Sequence, residues 1–369
     1  MPLPVARGGL NLEIGQREIA FSLWPVGRAT RRYRVQHRLF AADPWPLIYN
    51  EIEERCTRRV KKSAQSFCAQ AEDFYKTSFH GRELYAKPLL LYYSMLNLAK
   101  AFILATNNGA ANYQPHHGLS ENATARQDAG AIVRAVLRQN QPSAFNDFLF
   151  SVAHRRLTAT RSYRLGSVLP QILTGHRIWC AAANASERFI AVDNASFLTQ
   201  PAQHLIWARL AFRDGDVRRL NLSYSQLLGR SRLGNGWRMA RVDDASVCLE
   251  RINPHTFGHR PSDDLMDVVT EIRSVLWSSV LLVPPYARHY LYLAPPNERA
   301  QVLPQLLSIY MIMFFLGSIT RYRPHHFETL QEGLYGPFIE SFLSEAPSQF
   351  LYLLASEFLQ QEISKPATV

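Results

Sequence analysis

Ile309 to Phe327 reads IYMIMFFLGSITRYRPHHF, an almost wholly apolar run that breaks into a cluster of arginines and histidines. Apolar on every side, such a run reads as a buried helix. Pro324 marks its stop, because proline lacks an N–H and biases its predecessor away from helical angles. Arg321, Arg323, His325 and His326 are therefore expected at the exit of that helix, fixed at their bases and free at their tips. Two readings share this geometry. A rigid helix presenting a few convergent polar groups is how sites are commonly built. Cations at a helix C-terminus also answer the partial negative charge of the macrodipole, which requires no function.

A second apolar helix lies far upstream. Pro88 opens PLLLYYSMLNLAKAFILAT, and Asn107-Asn108-Gly109 closes it. Its polar exceptions, Tyr93, Asn97 and Lys100, share one face. A lysine there must snorkel, pair with an acid, or face a polar cavity. Between Leu47 and about Phe79, Ile52, Cys56, Val60, Ala64, Phe67, Ala71 and Phe74 recur at helical spacing and form one stripe. Arg58, Arg59 and Lys62 fall between them and make the exposed side basic. Further short helices are expected around Ala129 to Leu137, Asn146 to Val152 and Leu169 to Cys180.

From about Arg188 the period changes. RFIAV, QHLIWARLAF, VRRLNL, WRMARV and SVCLERI read as strands, with Asp214-Gly215 as a hairpin turn. After Pro304 the pattern is helical again, with segments at Phe338 to Leu343 and Pro347 to Ile363 following the first. The expected fold is α+β and mainly α-helical, its N- and C-terminal helical parts packed together around an antiparallel β insertion. The expected parts are an irregular basic segment at 1–46, a helical part at 47–187, a β-rich insertion at 188–303 and a C-terminal helical part at 304–369.

Composition narrows the function classes. The 369 residues are 47% hydrophobic, enough for a sizeable core, and 41 Lys and Arg against 30 Asp and Glu give a net charge of +11. Such a surplus favours nucleic acid or another polyanion as partner. Arg28, Arg31, Arg32, Arg34 and Arg38 form a basic stretch that is either a solvated segment or a track for a phosphate backbone. Cys56, Cys68, Cys180 and Cys248 lack CxxC spacing, which argues against a zinc ribbon or a disulfide scaffold and fits a reducing cytosol. Met1 to Leu10 lacks the apolar core of a signal peptide, and Leu306 to Ile319 is too short to span a bilayer. A cytoplasmic protein with no membrane role is expected. His255 and His259 have no third ligand beside them, and the glycine-rich Gly229 to Gly236 lacks the lysine-threonine of a phosphate loop. Neither a metal nor a cofactor is expected.

Lys87 to Ile103, His116 to Ser120 and Phe314 to Phe327 together resemble the bacterial YaaC-like family, in order and spacing, over most of the chain. The resemblance implies the fold and leaves the function to the residues. Arg321 and His326, with four residues between them, also look like the R-x4-6-H signature of HEPN ribonucleases, although Pro324 inside it departs from a plain helical motif. Those are helical-bundle proteins, many of them toxins or phage-defence effectors, that cut RNA without a metal and build their site across a homodimer.

That second resemblance implies roles. His326, with His325 as second choice, is the acid/base, since imidazole titrates near neutrality. Arg321 stabilises phosphorane charge, since guanidinium stays ionised and grips phosphate oxygens in pairs. Arg323, Lys100, Asn97, Arg58, Arg59 and Lys62 are the candidate nucleic-acid contacts, RNA being favoured, and His116 and His117 are alternatives to Lys100 and Asn97 for completing the site. The competing reading is a non-catalytic nucleic-acid-binding or scaffold subunit working with a partner protein, and one observation separates them: an Arg321 saturated by Glu328, Glu340 or Glu345 would be structural.

Overall fold

Leu91, Leu98, Ala101 and Phe102 are at most 1% exposed, so the helix that carries them is packed on several sides. In the computed structural model, which describes residues 2–27, 34–35, 38–80, 85–107, 112–122, 131–259, 261–278 and 289–366, this helix spans Lys87–Asn107. The chain forms two compact units. One joins Asp43–Ala185 to Ala300–Leu359 and is mainly helical; the other joins Met1–Ala42, Ser186–Arg299 and Gln360–Val369 and is rich in strands.

In the helical unit, Lys87–Asn107 packs against Arg58–His80, Gln305–Tyr322, Ala144–Ala153 and Gly336–Leu359. The two long apolar helices read from the sequence thus lie side by side. Gly317 makes the approach: a Cβ there would sit 2.9 Å from Tyr92 Cβ and 3.1 Å from the Pro88 carbonyl oxygen. By length and composition Lys87–Thr106 could cross a membrane, but 72% of its most apolar window is buried within the fold. A small antiparallel sheet, Leu119–Asn122, Ile132–Ala135 and Arg161–Arg164, completes this unit, its first strand beside Gln305–Tyr322.

The strand-rich unit is built on an antiparallel sheet ordered Leu10–Asn11, Asn194–Gln200, Leu205–Arg213, Ser246–Arg251, Trp237–Arg241. Glu250, with no exposed surface, is held at its centre by Arg209 (3.1 Å), Arg238 (2.8 Å) and the Arg7 backbone N–H. A second sheet pairs Phe189–Val192, His289–Tyr292 and Leu276–Ser278. Ile363–Ser364 pairs in parallel with Leu39–Phe40, beside an Arg38–Glu362 ion pair of 2.8 Å.

The expected fold class holds; several local expectations do not. Ala129 to Leu137 contains a strand, Ile132–Ala135, because β-branched Ile132 and Val133 find partners on both sides. Asp214-Gly215 is no hairpin but the start of a helix, Asp214–Arg219, with two acids in the first turn and Asp214 bonded to Arg218 and Tyr224. The pattern from Leu47 to Phe79 is broken at Cys56, whose backbone is extended, into Trp45–Arg55 and Arg58–His80. Leu169 to Cys180 is likewise divided: Leu169–Gln171 is a 3-10 turn, and the helix His176–Ala183 begins after Gly175 in a left-handed conformation. Gly229 to Gly236 begins in the last turn of a helix, Tyr224–Arg230, and does not follow a strand. The two segments after Phe338 are one helix, Gly336–Leu359, with buried Pro347 inside it. Arg28, Arg31 and Arg32 lie outside the described residues, as do Asn108 and Gly109.

Candidate functional site

Pro324 stops one helix and starts another. Gln305–Tyr322 ends at Arg323, whose φ of −149° and ψ of 62° turn the chain, and Pro324–Glu332 begins at once with proline in its first turn. Arg321 therefore lies in the last turn of the buried helix, while His325 and His326 occupy the first turn of the next. The expectation that all four leave one helix exit is corrected to a helix–turn–helix corner. The His326 backbone N–H donates to the Arg323 carbonyl (2.9 Å), closing the corner. The two imidazoles stand 4.2 Å apart at 77°.

Beside this corner lies a cleft of about 270 Å³. Tyr92 and Tyr93 come to it from Lys87–Asn107, His117 and Glu121 from the stretch entering and forming the Leu119–Asn122 strand, and Phe314 and Arg321 from Gln305–Tyr322. Arg321 Nη1 donates to Tyr93 Oη at 2.7 Å, and its guanidinium lies 5.0 Å from the Tyr322 ring. Glu328, Glu340 and Glu345 are exposed, and no described acid pairs with Arg321. Its planar fork is anchored by a neutral hydroxyl, and no described carboxylate answers its charge.

Glu121 is the acid of the site. Its Oε1 lies 3.4 Å from Arg323 Nη2 and accepts from Ser318 Oγ at 3.4 Å. Its side chain is 8% exposed, and Oε2 is buried with no hydrogen-bond partner. The His117 ring stacks over Phe314 at 5.8 Å and 29°. Burial pushes its pKa down, and the nearby charges of Arg138 and Lys100 add to the effect, against a backbone hydrogen bond with Leu119. His326 is also held below the ordinary imidazole value, first by lost hydration, then by His325 and Arg323, with Glu121 opposing. Both shifts favour the neutral imidazole.

The other sequence candidates lie apart from the cleft's polar rim. Asn97 is buried and donates to Gln70 Oε1 at 3.2 Å, joining two helices. Lys100 lies over the Phe67 ring at 5.1 Å, with its pKa lowered by burial. Arg58, Arg59 and Lys62 are exposed on Arg58–His80 without a described acid partner. His116 hydrogen-bonds through Nδ1 to the Gly118 N–H. His255 faces Glu271 at 3.5 Å and Arg251 at 3.3 Å. Among the described residues, no group of three or more His, Cys, Asp and Glu is placed to hold a metal ion.

Sequence reasoning missed Glu121 and Ser318, and the bond from Arg321 to Tyr93. The available signal was Glu121 itself, one residue beyond His116 to Ser120, the stretch already singled out. Residues 33–358 match the family model described as YaaC-like Protein, and the chain belongs to that family. Neither a curated protein nor a solved structure matches it.

Proposed function

For this member of the YaaC-like family we propose a metal-independent endoribonuclease activity of HEPN type, centred on Arg321 and His326. The observation that carries the reading is an exposed Arg321 with no described carboxylate partner, held by Tyr93 at the lip of a cleft and followed at once by two histidines. In the reaction, neutral His326 takes the proton of a ribose 2′-OH as O2′ attacks phosphorus. The P–O5′ bond breaks, a proton returns to O5′ from the imidazole pair, and a 2′,3′-cyclic phosphate and a 5′-hydroxyl are left. Arg321 carries the charge that builds on the phosphorane oxygens. Arg323 steers the backbone in while its link to Glu121 keeps it oriented. A cytoplasmic location and a homodimer belong to the same proposal.

A phosphate-binding subunit without catalysis draws on the same basic surface, including Arg58, Arg59 and Lys62. The pair of imidazoles, 4.2 Å apart beside Arg321, favours catalysis over it, because imidazole can take up and return a proton whereas a phosphate grip needs only fixed charge. The test incubates labelled structured RNA with the protein in EDTA. Cleavage ending in cyclic phosphate is expected, with losses of about 10²–10⁴-fold in His326→Ala and about 10²–10³-fold in Arg321→Ala at matched thermal stability. RNA bound but left intact by the wild type would make the binding subunit the better reading.

A further inference from the structure

We infer that the cleft beside Arg321 is a nucleobase pocket that selects guanine, with Glu121 as the residue that reads the base. The inference deepens the ribonuclease reading and takes its RNA setting from it, yet it concerns binding alone.

Three features define what fits. The walls are aromatic: Tyr92 and Phe314 meet edge to face at 5.3 Å, and His117 lies over Phe314. Single-stranded RNA is commonly recognised by splaying a base onto such side chains. At about 270 Å³ the cleft is smaller than pockets for drug-sized ligands, so one base is the natural load. The third feature is Glu121, nine-tenths buried, with one carboxylate oxygen lacking any donor.

That oxygen decides the chemistry. A buried acceptor without a partner is costly, and a ligand that brings a donor relieves the cost. A phosphate cannot be that ligand, since it would face the carboxylate. An amine would have to enter beside the cations Arg321 and Arg323. A neutral planar group with N–H donors meets neither obstacle. Among the four bases, guanine alone sets two donors side by side, N1–H and the 2-amino group, matching the two oxygens of a carboxylate. The contacts already made at Oε1 are both long, 3.4 Å, so it can accept another. Adenine and cytosine place an acceptor next to the amino group, and uracil sets its one N–H between carbonyls. Arg321, on the lining of the cleft, and Arg323, joined to Glu121, then meet the phosphates flanking the bound base.

The test titrates the full-length protein with GMP, IMP, AMP and CMP by calorimetry, the common phosphate cancelling the contribution of the arginines. GMP should bind at least tenfold tighter than AMP or CMP, and IMP, which lacks the 2-amino group, should fall between. Glu121→Gln should erase the preference. Ser318→Ala keeps the carboxylate and removes only a neighbour, so it should retain the preference and serves as the control for a loosened strand. Equal affinity for all four nucleotides, no binding, or a preference that survives in Glu121→Gln overturns the inference. RNA cleavage without a guanine bias would sink this pocket and spare the ribonuclease; selective GMP binding by a protein that cuts no RNA would do the reverse.

Discussion

One hydroxyl positions the charge of the candidate site. Tyr93 Oη accepts from Arg321, and the guanidinium has no described acid to fall back on. Tyr93→Phe should lower the RNA cleavage rate about tenfold, the loss of one hydrogen bond of roughly 1.4 kcal/mol in the transition state. Thermal unfolding should change little, because Arg321 is exposed. A rate equal to wild type would remove Tyr93 from the site. At this scale the sequence was informative about Arg321, Arg323, His325 and His326, whose closeness follows from adjacency. It was silent about Glu121, which reaches Ser318 across 197 positions of chain, a separation that no spacing rule covers. Asn97 and Lys100 show the converse. They share a helical face with Tyr93, yet a face is broad enough for Tyr93 to meet Arg321 while its neighbours meet Gln70 and Phe67.

Between elements, the close contact of Lys87–Asn107 with Gln305–Tyr322 depends on Gly317. Alanine there has the better helix propensity, by about 1 kcal/mol. Its methyl would meet backbone at Pro88 and the root of the Tyr92 side chain, neither of which can swing away. Gly317→Ala should therefore destabilise the helical unit by about 1–3 kcal/mol, read from chemical denaturation. It should also disturb the cleft, since both helices wall it. In the sheet, Glu250→Gln leaves Arg209 and Arg238 without their carboxylate in a buried setting and should cost about 3–5 kcal/mol. A loss below about 1 kcal/mol would mean that the arginines find water. Helices with strong stop signals, such as the one ended by Pro324, were legible. The segment Ala129 to Leu137 was not, because a four-residue strand is fixed by its neighbours on each side. Pro347 misled for a related reason: packing along Gly336–Leu359 outweighs the lost N–H of one proline.

For the molecule as a whole, acid stability follows from His289. Burial, assisted by the charge of Arg38, pushes its pKa down to about 4, while an unfolded histidine titrates near 6.5. Between those values the unfolded chain binds the extra proton, so stability is intact above about pH 6.5 and falls as the pH drops toward 4. The loss from this residue should approach roughly 3 kcal/mol. Urea midpoints at pH 7.5 and 4.5 check it, and His289→Gln should narrow the gap between them. Composition made the basic charge plain and periodicity the α+β class, but neither gave the path of the chain between its units. That path has a consequence for synthesis. The Lys87–Asn107 helix waits for its partner Gln305–Tyr322 while the Ser186–Arg299 segment is made. Tyr322 lies 215 residues beyond Asn107, so at roughly 5–20 residues per second the wait lasts about 11–43 s. Throughout it, the face of the helix that Gln305–Tyr322 covers stays open, although Arg58–His80 is already made and can cover another. Slower translation lengthens that exposure in proportion.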